Sequence, residues 1–146
     1  WSDRCVRDDT DIERRVNNTL LKGLVNDIEV FRCRGLIDET PYYQNYLAQI
    51  NEIRNKYPEL LLGAGRFVHM DGFSCSSDEI IARGYSNGAR LAIVATTLNE
   101  NGAKGRLTVP GYRFVECSSI GDVKVSANGS KITLGQNGIT VLVFEK

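Results

Sequence analysis

The sequence predicts an α+β fold: an N-terminal antiparallel helical hairpin followed by an antiparallel β-sandwich of about eight strands. Three observations carry this. As far as Pro58, apolar residues recur at spacings of three and four, the period of one helix face. After Gly63 they fall in short runs, several of them alternating as strands do. Asn87-Gly88, Asn101-Gly102, Asn128-Gly129 and Asn137-Gly138 punctuate those runs, and Asn-Gly readily supplies the positive φ of tight turns. The change of period divides the chain into a helical segment, 1–62, and a sandwich, 63–146.

The first helix opens on Thr10-Asp11-Ile12-Glu13, which has the form of a capping box. Ile12, Val16, Leu20, Leu24, Ile28 and Phe31 then define one face, widened by Leu21, Val25 and Leu36. Gly23 and Gly35 mark places where this pattern can break or pack closely. The second helix has a clearer start, with Thr40 as N-cap and Pro41 in the first turn, where its missing amide hydrogen costs nothing. Tyr43, Tyr46, Leu47, Ile50, Ile53 and Tyr57 form its apolar face, and Pro58 stops it. Helices joined by a few residues pack as an antiparallel pair. Both faces are wider than one partner helix covers, so the pair is expected to lie on the following sheet or on a domain outside this chain.

Strands are expected over 66–70, 79–85, 89–98, 105–109, 112–118, 122–126, 130–134 and 139–145. Ile132 and Leu134, and later Val141 and Val143, alternate with their neighbours. Leu91-Ala92-Ile93-Val94-Ala95 is uniformly apolar and suits a central strand covered on both faces. Strands at such spacing, with almost no helix between them, indicate a sandwich.

Composition narrows the function. With 146 residues, the chain is long enough for a core of its own. Lysine plus arginine equals aspartate plus glutamate at 18 each, which offers nucleic acid and anionic membranes no basic face. No apolar run approaches the ~20 residues of a membrane span. The opening Trp1-Ser2-Asp3-Arg4 has neither methionine nor the character of a signal peptide, and is expected to be the edge of an excised fragment, with a processed mature start as the alternative. Cys5, Cys33, Cys75 and Cys117 are widely spaced without a C-x-x-C. They read as free, mostly buried thiols, with one helix-to-sheet disulfide as the alternative and no metal site expected.

Catalytic constellations are sparse. Asp27 and Glu29 are close in sequence, but residues two apart on a helix point to different sides. Asp3, Asp8, Asp9 and Asp11 with Arg4 and Arg7 read as a solvated linker before a helix, with the mouth of a neighbouring active site as the sharper alternative. They lack calcium-loop spacing. His69, the only histidine, has no nucleophile near it in sequence, and Ser74, Ser76 and Ser77 form no nucleophile elbow. No phosphate-binding loop or dinucleotide fingerprint occurs, and no cofactor is expected. Tyr85, Tyr112 and Phe114 are candidates for stacking on sugar rings, although strand aromatics are usually core. Asn17-Asn18-Thr19 and Asn128-Gly129-Ser130 match the glycosylation sequon.

Three stretches, Gly23-Leu24-Val25-Asn26-Asp27-Ile28-Glu29, Tyr42-Tyr43-Gln44-Asn45-Tyr46-Leu47 and Arg54-Asn55-Lys56-Tyr57-Pro58-Glu59-Leu60-Leu61, resemble the last helices of the (β/α)8 barrel in bacterial glycoside hydrolases. The rest of the chain resembles the C-terminal sandwich of α-galactosidase-like and α-amylase-like enzymes. It includes Gly65-Arg66-Phe67-Val68, Gly84-Tyr85-Ser86-Asn87-Gly88-Ala89-Arg90-Leu91-Ala92-Ile93-Val94 and Val109-Pro110-Gly111-Tyr112. The resemblance implies a non-catalytic accessory region that stabilises a barrel encoded upstream. Such barrels carry their catalytic carboxylates on earlier strands, so no catalytic residue is assigned here. The alternative is a free-standing carbohydrate-binding or protein-interaction module. The implied partners are the missing catalytic domain, carbohydrate, and a second copy if the helices stay uncovered. Free thiols lean toward a reducing cytoplasm, while polysaccharide-degrading relatives are commonly periplasmic or secreted.

Overall fold

The computed structural model describes residues 11–25, 37–63 and 65–146. Helices α1 (Ile12–Lys22), α2 (Pro41–Lys56) and α3 (Pro58–Leu61) precede nine strands. These are β1 (Arg66–His69), β2 (Ser74–Cys75), β3 (Ile80–Ser86), β4 (Arg90–Thr97), β5 (Ala103–Thr108), β6 (Arg113–Ile120), β7 (Val123–Val125), β8 (Lys131–Leu134) and β9 (Ile139–Glu145). One sheet has the order β1-β3-β4-β9-β6 and the other β2-β5-β8-β7, with every pairing antiparallel. The α+β class and the sandwich are as the sequence predicts. The two-residue β2 is the strand it lacks.

The layers follow from the side-chain period. Along β4 and β9, successive residues point to opposite faces. Leu91, Ile93, Ala95, Leu142 and Phe144 enter the core between the sheets, with Leu107, Ile132 and Leu134 opposite. Ala92, Val94, Ile139, Val141 and Val143 face the other way and join Val16, Leu20, Tyr46, Ile50 and Leu60 of the helices in a second core. The five-stranded sheet is therefore buried on both sides, between the helices and the four-stranded sheet. β4 fits the expected central strand. β9 lies beside β4 and is buried on both faces as well.

α1 is shorter than its pattern. It ends at Lys22, with Gly23 at φ +66°, and two hydrogen bonds close its last turn: Gly23 N donates to Leu20 O and Leu24 N to Thr19 O. That is the Schellman arrangement, which a left-handed residue just past the helix makes available. A side chain at Gly23 would also bring a Cβ to 3.0 Å from the Tyr85 hydroxyl. Leu24 and Val25 therefore lie past the helix end. Ile28, Phe31, Gly35, Leu36, and the Asp27 and Glu29 candidates lie outside the described residues.

The early stop also corrects the sense of the helix pair. Tyr42 pairs with Glu13, Tyr46 with Asn17, and Arg54 with Thr19 and Leu24. Partner numbers rise together along both helices, so α1 and α2 run side by side in the same direction. Residues 23–40 separate the two helices in sequence, whereas a hairpin needs a short connection. The capping expectations also change. Thr10 lies outside the described residues, and Glu13 accepts a hydrogen bond from Tyr42. The Thr40 hydroxyl donates to Ile37 O at 2.9 Å rather than capping α2.

Candidate functional site

Asn17, Thr19 and Arg54 are buried polar side chains at the seam between the helices and the five-stranded sheet, and each has a structural partner. Asn17 is 1% exposed. Its Nδ2 donates to Asn137 O at 2.7 Å, and its Oδ1 accepts from the Tyr46 hydroxyl at 2.7 Å. One amide thereby ties α1 to α2 and to the β8–β9 turn. Burial raises the Tyr46 pKa above its ordinary value, which keeps the hydroxyl a donor. At the other end of α1, the Tyr85 hydroxyl donates to Leu21 O at 2.9 Å, and Arg54 Nη2 donates to Leu24 O at 2.6 Å. Leu21 O is one of the carbonyls that a helix C-terminus leaves unpaired, Leu24 O lies just past that end, and the guanidinium charge suits the negative end of the dipole. Burial lowers the Arg54 pKa and pushes that of Tyr85 up to about 12.

This geometry decides the fate of the three sugar-stacking candidates. Tyr85 is 4% exposed and meets Phe67 edge-on at 5.4 Å, so it offers no ring face to a ligand. Tyr112 and Phe114 pack partly buried against the inter-sheet core, on the opposite side of the sheet from Tyr85. Phe114 meets Phe144 edge-on at 5.5 Å and lies over Gly129, where a Cβ would stand 2.3 Å from its ring. Gly129, at φ +68°, serves both the β7–β8 turn and this ring contact. The three aromatics do not converge.

Other candidates stand apart. His69 is exposed at the end of β1, edge-on to Phe67 at 6.2 Å. Asp11 sits before α1, while Asp3, Arg4, Arg7, Asp8 and Asp9 lie outside the described residues. Cys75 and Cys117 are free and half-buried on different sheets, and Cys5 and Cys33 lie outside the described residues. The buried Asn17 is no surface for a glycan, and Asn128 Oδ1 braces its own turn by accepting from Ser130. Four of the described carboxylates have a single side-chain partner each: Glu59 with Arg90 at 2.5 Å, Glu116 with Lys56 at 2.7 Å, Glu79 with Asn99 at 2.7 Å, and Glu145 with Arg113. Among the described residues no cluster of three metal-ligating side chains occurs.

Concavities lined by described residues open along the seam. One of about 280 Å³ lies between the start of α1 and the ends of β3 and β4, beside Arg14, Asn18 and Thr97. Two of about 380 Å³ each lie along the outer side of α2. They adjoin along a groove between α2 and the sheet, with Gln49 and Ile120 in the walls of both. Tyr42, Asn45, Gln136 and Glu52 contribute to its walls, and Tyr42 is 50% exposed. Sequence reasoning passed over Tyr42 because Tyr43 and Tyr46 beside it are core. The signal lay in the helical period, which places Tyr42 on one face with Asn45, Tyr46 and Gln49 and away from Tyr43.

No family model and no curated protein matches the sequence. Solved structures do match. An α-amylase from Geobacillus thermoleovorans, complexed with acarbose, aligns over 94% of this chain and 34% of its own at TM-score 0.59 and 14% identity. The isomaltulose synthase of Erwinia rhapontici NX5 aligns over 78% of this chain and 20% of its own at TM-score 0.55 and 14% identity. The isomaltulose synthase SmuA of Protaminobacter rubrum aligns over 78% and 20% at TM-score 0.51 and 19% identity. The chain has the fold of the C-terminal part of α-amylase-type glycoside hydrolases. It spans 20 to 34% of the length of these three enzymes, and at such identities the likeness is one of fold. Within the α-amylase-type fold the match to the amylase takes in nearly the whole of this chain, helices as well as sandwich.

Proposed function

We propose that this chain is the non-catalytic C-terminal region of a carbohydrate-active glycoside hydrolase. In this reading α1 and α2 close a (β/α)8 barrel, and the sandwich braces its end. The observation that carries the proposal is the match over 94% of the chain to part of an α-amylase, helices included. The parallel sense of α1 and α2 supports it. Successive helices of such a barrel run in one direction because a strand returns the chain between them.

One observation favours the second reading, a free-standing carbohydrate-binding or interaction module. The apolar faces of both helices are already covered by β4 and β9, so the described chain has a core without a barrel. The reading frame upstream of Trp1 separates the two. A region encoding strand–helix repeats and continuous with Trp1 supports the barrel reading. A start codon and export signal immediately upstream overturn it in favour of the module.

A further inference from the structure

We infer that the groove between α2 and the β6–β7 and β8–β9 turns is a binding site for a neutral oligosaccharide. This rests on the carbohydrate-active reading above and deepens it, because the three strand aromatics do not provide the site. Each half of the groove, at about 380 Å³, falls in the usual size range of ligand pockets, about 300–1,000 Å³. The two halves adjoin at Gln49 and Ile120, so an extended ligand reaches both where a compact one fills a single half.

The lining chemistry selects the class. Asn45, Gln49 and Gln136 each present both a donor and an acceptor. A sugar hydroxyl also donates and accepts, so side-chain amides match it in either direction. Glu13 and Glu52 add acceptors for hydroxyl protons. The cation on the rim, Lys56, stands 2.7 Å from Glu116, which leaves a phosphate or carboxylate ligand poorly matched. Tyr42 supplies the apolar platform. Its ring is half exposed, and its hydroxyl donates to Glu13, which holds the ring's direction. Aromatic rings of this kind cover the C–H face of a pyranose while hydrogen bonds take its edge. The walls are also set beforehand. Tyr46, in the groove beside Tyr42, is fixed by Asn17, and Asn17 holds the β8–β9 turn through Asn137. A preformed wall lowers the ordering cost of binding. The exposed apolar residues Val25, Leu62, Phe67 and Leu98 lie outside the groove, so it lacks the character of a protein-docking face.

The test is titration of the ¹⁵N-labelled 146-residue chain with maltoheptaose, cellohexaose and a lysine-rich peptide, followed by amide shifts. The expected result is saturable shifts at Asn45, Gln49, Gly121 and Gln136 with one of the sugars, at a dissociation constant of ~1 mM or tighter. Tyr42→Ala weakens that binding about tenfold or more, while Tyr42→Phe keeps the platform and most of the affinity. Gln136→Ala, on an exposed turn, gives a second reading should Tyr42→Ala disturb α2. Absence of shifts with both sugars overturns the inference. So do shifts centred elsewhere, sugar binding indifferent to Tyr42→Ala and Gln136→Ala, or stronger shifts of the same amides by the peptide. The upstream reading frame reports separately. A barrel there with no sugar shifts removes only the groove, and sugar shifts without a barrel remove only the parentage.

Discussion

Asn17 shows how much of this fold rests on single polar side chains. Its amide makes two contacts of opposite sense within the seam, so neither partner is satisfied if the side chain is cut back. Asn17→Ala leaves the Tyr46 hydroxyl and the Asn137 carbonyl without their protein partners, and is expected to cost about 2–4 kcal/mol. Urea unfolding of the variant beside the parent measures this, and an unchanged midpoint would sink the account. Tyr85 makes a prediction in pH. Its folded pKa, about 12, lies above the 10.0 of an exposed tyrosine. The unfolded chain therefore releases the proton first. The contribution of Tyr85 is fully present below pH 10 and is lost as pH rises from about 10 to about 12. The slope is about 1.4 kcal/mol per pH unit. Tyr46 is shifted in the same direction and adds to the fall. Tyr85→Phe is expected to cost about 1 kcal/mol at neutral pH through its lost hydrogen bond, and to flatten the alkaline decline. Stability curves of both proteins between pH 8 and 12 check the sign.

Among the elements, legibility divided along physical lines. The strands were readable because Asn-Gly turns and period-two alternation are local signals, and Asn87 Oδ1 accepting from Arg90 N at 2.9 Å is the kind of turn that sequence announces. β9 was readable as a strand, but not its cover on both faces. Whether Val141 and Val143 meet solvent or a helix depends on the layer above, which period alone does not specify. The end of α1 is the instructive miss. Leu24 and Val25 continue the apolar stripe past Gly23, so the pattern favours a longer helix. The left-handed Gly23, closed by two backbone bonds and crowded by Tyr85, overrides it. Tyr42 escaped for a related reason: its value to the groove comes from distant turns, at Gly121 and Gln136. Gly23→Ala is expected to destabilise by about 1–3 kcal/mol, from the strained φ and the Cβ approach to Tyr85. Thermal unfolding of that variant tests it. A rise in melting temperature would mean that α1 prefers to run on.

At the scale of the molecule, the question is whether the change of period near Gly63 marks two units or one. The sheet–helix core contains Val94, Ile139, Val141 and Val143 on one side and Leu20, Ile50 and Leu60 on the other. Burying four such aliphatic side chains is worth on the order of 6–12 kcal/mol at about 1.5–3 kcal/mol each. That is as large as the whole stability of a typical domain, about 5–15 kcal/mol. The sandwich face that carries them has no other cover within the described chain, and the helices have no other core. Helices and sheets are therefore expected to unfold together, in a single urea transition that superimposes when followed by helical circular dichroism and by hydrogen exchange of the β4 and β9 amides. The sharper form of the test is the truncated chain 63–146, which leaves the outer face of β4 and β9 bare. It is expected to aggregate or to lose fixed packing, and adding residues 1–62 back as a separate chain should restore its dispersion if the interface forms in trans. A truncated sandwich that stays monomeric, with the melting temperature of the parent, would instead establish that the boundary in sequence is also a boundary in stability. The helices would then owe their place in this protein to whatever lies upstream.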